Sequence, residues 1–270
     1  MNNVREDWGN MLKNKCASHY RFSVGSAVLL WMLIFGPGIY AAEALTEAQK
    51  DDVGRSVTKL FRATRAVISQ NQKLINDPNT GDKGLTGEVV IRKAWENYNK
   101  LSNKRPKDIA SNPDKDEIIK SFEEAIDEVM TNAQPLINKR GLGFKRFLPA
   151  IFARHVADSF NRIMKGKAFI KLTAPRNFIR NRTNRPDSWE NSVIENFFKK
   201  DNYPKDKAYT EQTSHKGRPG FRFIIPEYYS KSCLKCHGEP KGSIDIAGGK
   251  KEGGKLGELA GAVSFVLYQQ

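Results

Sequence analysis

Cys233, Cys236 and His237 stand in the run Ser232-Cys-Leu-Lys-Cys-His-Gly238, which holds two of the chain's three cysteines. Two thiols separated by two residues, with an imidazole directly behind, can anchor a haem. The thiols add to the two vinyl groups on one porphyrin edge, and the histidine reaches the iron from the same side. The same residues could form half of a zinc site, but a structural zinc takes four ligands, commonly a second CxxC or two spaced histidines. Beyond residue 44 there is no further cysteine, and the remaining histidines, His155 and His215, are scattered. A thioredoxin-type pair expects a strand–helix context, and a glycine-rich stretch follows here instead. A disulfide across two residues would close a tight loop. The spacing points to one covalently attached haem c, with His237 as an axial ligand whose other ring nitrogen is held by a carbonyl or carboxylate.

The opposite face of the iron is less determined. His155 lies three residues after Phe152 and four after Ile151, near the apolar stripe of the helix that carries it, and is the candidate second axial ligand. A histidine bonded to backbone would look the same in sequence. His215 falls at an expected hairpin tip and should be exposed; Met130 and Met164 sit at helical spacing and suit core filling. An empty sixth position, or a water, is the remaining alternative. Arginines and asparagines concentrate over Arg176–Arg185, where Arg180 and Asn184 are candidates to hold carboxylates, haem propionates among them; a solvated basic turn has the same composition.

These residues need a scaffold. Apolar positions recurring at three, four and seven predict a long helix over 45–77, then helices over 86–101, 116–132 and Pro149–Lys165, with a polar loop at 102–115. After Gly166 the pattern changes to strands at 168–173, 207–214, 220–225 and 259–268. A helix opened by the capping box Asp187-Ser-Trp-Glu190 lies between the first two, and Lys216–Gly220 has hairpin turn chemistry. Helices followed by antiparallel strands make an α+β protein, with a helical part at 45–135 and a sheet-containing haem part at 136–270. The six glycines of 241–257 read as a flexible, solvated connector.

Residues 1–44 stand apart. A basic flank precedes an uncharged apolar run at 23–40, and Ala42-Glu-Ala44 fits a small-x-small cleavage site. The run is also close to the roughly 20 residues of a single membrane anchor. Both readings put residue 45 onward in the periplasm, because the basic flank stays inside. Nearly all of the +15 net charge lies beyond residue 44. Export excludes nucleic acid as its target and leaves acidic redox partners, an anionic membrane face, or simple solubility.

Three stretches resemble a known family: Gly141–Phe160; Arg180–Glu190, which follows an R-N-P-x-N-x-P-D-x-x-E pattern with Arg182 in place of the proline; and Cys233–Val266, where CxxCHG is followed by a glycine-rich loop and Gly257–Ser264. This is the haem-binding, PAS-like sensor domain family of bacteria, found on membrane histidine kinases and as free-standing periplasmic c-type cytochromes. The resemblance implies a PAS-like antiparallel sheet with flanking helices behind a long first helix, and one haem on Cys233, Cys236 and His237. In some members a cysteine on the first helix is the other axial ligand; Ser69-Gln-Asn71 stands in that neighbourhood here, and Cys16 lies on the far side of the membrane segment. The expected role is redox or small-ligand (NO, CO, O2) sensing. Within these 270 residues no output domain follows the last strand, so sensing would require a separate partner. The alternative is an electron carrier that docks acidic redox partners. A haem enzyme such as a peroxidase would need an acid–base pair beside the iron, and none can be singled out.

Overall fold

The computed structural model describes residues 45–100 and 113–269. Helix α1 (Glu47–Gln70) opens on a reciprocal cap: Thr46 Oγ1 accepts from Gln49 N–H, and Gln49 Oε1 accepts from Thr46 N–H at 2.8 Å. Its buried stripe of Val53, Val57, Leu60, Phe61, Val67 and Ile68 is the one the spacing predicted. The helix is interrupted at Asn71, whose amide donates to the Val67 carbonyl at 2.7 Å, and a single turn follows as α2 (Gln72–Ile75). The expected continuous helix to residue 77 is therefore divided. Helices α3 (Gly87–Lys100), α4 (Pro113–Ile137) and α5 (Pro149–Ile163) complete the helical layer. The α4 helix runs through Pro135, past its expected end, because Ala133 and Ile137 bury apolar surface that offsets the lost backbone bond.

Strands β1 (Ala168–Thr173), β2 (Tyr209–His215), β3 (Arg218–Tyr228) and β4 (Leu259–Tyr268) form one antiparallel sheet in the order β1-β4-β3-β2. The protein is α+β, with helices against a four-stranded antiparallel sheet. β3 outgrows its expected span and is buried from Gly220 to Pro226 because both faces are covered. Phe221, Phe223 and Ile225 join the helical core, while Ile224 packs with Val193, Ile194, Phe198 and Ala262 on the other face. Gly54 lets α1 close on the sheet: a Cβ there would lie 2.6 Å from Phe223 Cδ2.

The capping box forms as expected at the start of α6 (Ser188–Val193), and both acids also bind cations. Asp187 Oδ2 takes Arg222 Nη2 at 2.6 Å, and fully buried Glu190 takes Lys171 at 2.9 Å. At the end of β3, Glu227 is gripped by two guanidiniums from α1, Arg62 and Arg65, the latter at 2.8 Å. Burial opposes its charge, but the two arginines hold its carboxyl below the usual range.

His215 corrects an expectation. The Lys216-Gly217 turn has positive φ at both residues (52° and 76°), the geometry of a tight hairpin. That turn leaves His215 opposite Arg218 in register, with only 4 % exposed. Its Nδ1 lies 2.6 Å from the Tyr268 hydroxyl, and its ring lies against Phe169. Burial, then Arg222 and Lys216, push its pKa down to about 4. The leader reading of residues 1–44 lies outside the described residues, as do residues 102–112 of the expected loop; its last three residues, 113–115, instead open α4. Among the described residues no helix is long and apolar enough to cross a membrane.

Candidate haem-attachment site

Tyr229 leaves β3 already anchored: its N–H donates to Glu258 O at 2.9 Å, and its carbonyl accepts from Gly257 N–H at 2.8 Å. Five residues later the chain makes one helical turn, α7 (Leu234–His237). Cys236 N–H and His237 N–H both donate to Cys233 O, at 3.1 and 2.9 Å. One turn with i,i+3 spacing puts the two thiols on the same side. Both are half-buried free thiols, and burial together with nearby Asp245 raises the Cys236 thiol. Gly238 ends the turn where a Cβ would meet Leu234 O at 2.5 Å.

His237 is held on three sides. Its Nδ1 lies 2.8 Å from Glu252 Oε2, its carbonyl accepts from Gly254 N–H at 2.8 Å, and its ring stacks on Tyr229 with centroids 5.6 Å apart. Burial works against the Glu252 charge, but hydrogen bonds from Arg180 and His237 hold its carboxyl below the ordinary range. An ionised carboxylate only accepts, so Nδ1 is the donor, and in the neutral imidazole Nε2 is then the nitrogen with the lone pair. No hydrogen bond to Nε2 occurs among the described residues. Burial and the Glu252 and Glu258 charges push the Tyr229 phenol up to about 12, so it stays neutral.

Arg180 ties this cluster together. It pairs with Glu252 through Nε and Nη2, with Asp245 through Nη1, and donates from Nη2 to the Cys236 carbonyl at 2.6 Å. Asp245 also accepts backbone N–H groups from Ala247 at 2.7 Å and Gly249 at 2.9 Å. These bonds and Arg180 outweigh burial and keep its carboxyl low. A Cβ on Gly249 would sit 2.8 Å from Arg180 Nη1, and one on Gly254 would collide with the Tyr229 ring. Close approach to the ring requires glycine at 254, whereas at 249 the neighbour is the end of the Arg180 side chain.

The stretch 241–257 is therefore no solvated connector. It folds on itself through Gly242 N–H to Lys251 O and Lys251 N–H to Ser243 O, both 2.8 Å, with a bridge between Ile244 and Lys250. Its glycines permit tight turns that deliver Asp245 and Glu252 to Arg180. Of the sequence-predicted residues, the structure brings together Cys233, Cys236, His237 and Arg180. The carboxylates Arg180 grips belong to the protein. Asn184 is elsewhere: its carbonyl accepts from Thr173 Oγ1 at 3.0 Å, joining its turn to β1. His155 is exposed on α5 with Arg154 as its polar neighbour at 3.5 Å; Phe152, Val156 and Phe160 form the buried stripe, and His155 falls off its edge. Met130 and Met164 are core residues. Glu252, Asp245 and Tyr229 were missed; an acid closely following a CxxCH was the available signal, since a ligating histidine needs a partner for its other nitrogen.

Comparison with solved structures finds the cyanobacterial haem protein Tll0287, at 15 % identity and a TM-score of 0.39, covering 59 % of this chain and 98 % of that one. No curated protein matches. The Tll0287-like family model matches residues 42–267, well over half of the chain. The chain belongs to the Tll0287-like family.

Proposed function

We propose that the chain carries one haem c on Cys233 and Cys236 with His237 as an axial ligand, and that it works in the periplasm as a redox- or small-ligand-responsive module. The observation that carries this reading is the state of His237: Glu252 takes Nδ1 at 2.8 Å, which leaves Nε2 as the ligating nitrogen. Two thiols on one side of the turn complete a donor set that fits the group. Membership of a family named for a haem protein points the same way. Haem, when bound, supplies one-electron redox chemistry and a coordination position for NO, CO or O2.

The chain's own residues do the rest. Tyr229 and Glu252 fix the imidazole plane and proton, Arg180 keeps Glu252 in place, and the glycines of the following loop permit that close packing. The helix-covered antiparallel sheet supports the PAS-like reading of the fold. The basic flank and apolar run of residues 1–44 support export, with the chain released or held by a single span. A second reading, an electron carrier that docks acidic redox proteins, is favoured by the exposed lysines around Cys236.

The test is expression of the full chain with a c-type maturation system, followed by covalent-haem analysis and a reduced spectrum with and without CO. Cys233→Ser with Cys236→Ser should abolish covalent haem; its persistence would refute the attachment. A reduced iron that binds CO readily supports ligand sensing, and a spectrum unmoved by CO supports electron transfer.

A further inference from the structure

Apolar side chains left in water are unevenly placed. Ile244, Ile246 and Leu256 are 63, 67 and 59 % exposed, and all three belong to the folded loop that follows His237. The same region, from Lys231 to Lys255, exposes Lys231, Lys235, Lys241, Lys250 and Lys255, none of which forms an ion pair among the described residues. Its inner acids, Asp245 and Glu252, are consumed by Arg180. Glu239 is the acid it exposes, and exposed Glu258 follows just beyond it. Backbone bonds hold these features in one lobe with the cysteines: Gly254 N–H binds His237 O, and Ile244 bridges to Lys250.

An exposed apolar centre with a charged rim is the anatomy of a protein interface. The excess of lysine calls for an acidic partner and for steered, salt-sensitive encounter. A membrane surface would also attract lysine, but interfacial membrane binding uses a broad face of Trp, Phe and Leu, and residues 230–258 contain no Trp or Phe and expose one leucine, Leu256. We infer that this lobe is the docking surface for an acidic redox protein, with Ile244, Ile246 and Leu256 at its centre and the lysines at its rim. The inference rests on the covalent-haem reading and names the partner class of that same site.

The test uses the full haem-loaded chain and a reduced plant-type ferredoxin as the acidic probe, with haem reduction followed by stopped flow at low and high salt. Lys235→Glu, Lys241→Glu and Lys250→Glu together should slow the second-order rate about tenfold or more at low salt, with convergence on the parent at high salt. Lys120→Glu with Lys139→Glu, exposed on and just after α4, should change it less than about twofold. Equal slowing in both sets, or none in the first, overturns the proposal. So does binding to phosphatidylglycerol vesicles that the lobe variant loses while its ferredoxin rate is unchanged. A Soret band altered by Ile244→Ser with Ile246→Ser would make those residues haem contacts and remove the apolar centre. Haem content is measured first: its absence removes the haem reading, whereas normal haem with unaltered rates removes the docking surface alone.

Discussion

Glu252 Oε2 lies 2.8 Å from His237 Nδ1, and the same oxygen accepts from Arg180 Nη2 at 2.9 Å. The carboxylate that sets the tautomer of the histidine is thus itself fixed by a guanidinium that also binds the Cys236 carbonyl.

Replacing Glu252 with Gln keeps an acceptor for Nδ1 but removes the negative charge. Electron donation through the imidazole falls, so the haem midpoint potential should rise by roughly 60–120 mV, one to two tenfold steps at about 59 mV each. Spectroelectrochemical titration of the two proteins measures the difference. An unchanged potential would show that Glu252 does not tune the iron.

Arg180→Leu leaves Asp245 and Glu252 without their cation. The cost should be about 2–3 kcal/mol in urea unfolding, below that of a fully buried pair because 30 % of the Arg180 side chain meets water. Proteolysis within 241–257 should accelerate in step. Lysine should rescue little, since one ammonium cannot reproduce a fork that reaches Asp245, Glu252 and Cys236 O together.

His155→Ala should leave the absorption spectrum unaltered in both oxidation states, because His155 is exposed on α5. A shifted band would return it to the iron.

At Gly54, helix propensity favours alanine by about 1 kcal/mol. The new Cβ, however, would stand 2.6 Å from Phe223 Cδ2 in a packed core, and overpacking costs about 1–3 kcal/mol. Packing wins, so Gly54→Ala should lower Tm by several degrees in a thermal melt.

His215 has a folded pKa of about 4 against about 6.5 unfolded. Between those values the unfolded chain binds the proton and the folded chain does not. Stability should therefore fall with pH from about 6.5 to about 4, by about 3 kcal/mol in all, and level off below. Denaturation across that window should show a flatter profile for His215→Gln.

Strands 168–173 and 259–268 were legible because their apolar patterns are local, and Cys233, Cys236 and His237 because their chemistry is written in adjacent letters. Arg180 was legible as a carboxylate binder, but its partners Asp245 and Glu252 lie 65 and 72 residues away. No periodicity marks an acid in a glycine-rich stretch, so the loop read as solvent-facing. His155 and His215 sit elsewhere than their patterns suggested, for opposite reasons. A helical wheel cannot place a residue at the edge of a stripe, and hairpin chemistry does not say which side chain of the turn folds inward. The break at Asn71 depends on one side-chain bond to Val67 O.

The grip of Arg62 and Arg65 on Glu227 has a mechanical reading. The two guanidiniums come from one turn of α1 and close on a single carboxylate two residues before Tyr229, the ring stacked on His237. An axial slip of α1 by one turn, about 5.4 Å, would break both pairs at once. The end of β3 that carries Tyr229 is thus keyed to α1 by a doubly held carboxylate, in addition to the packing of Gly54 on Phe223.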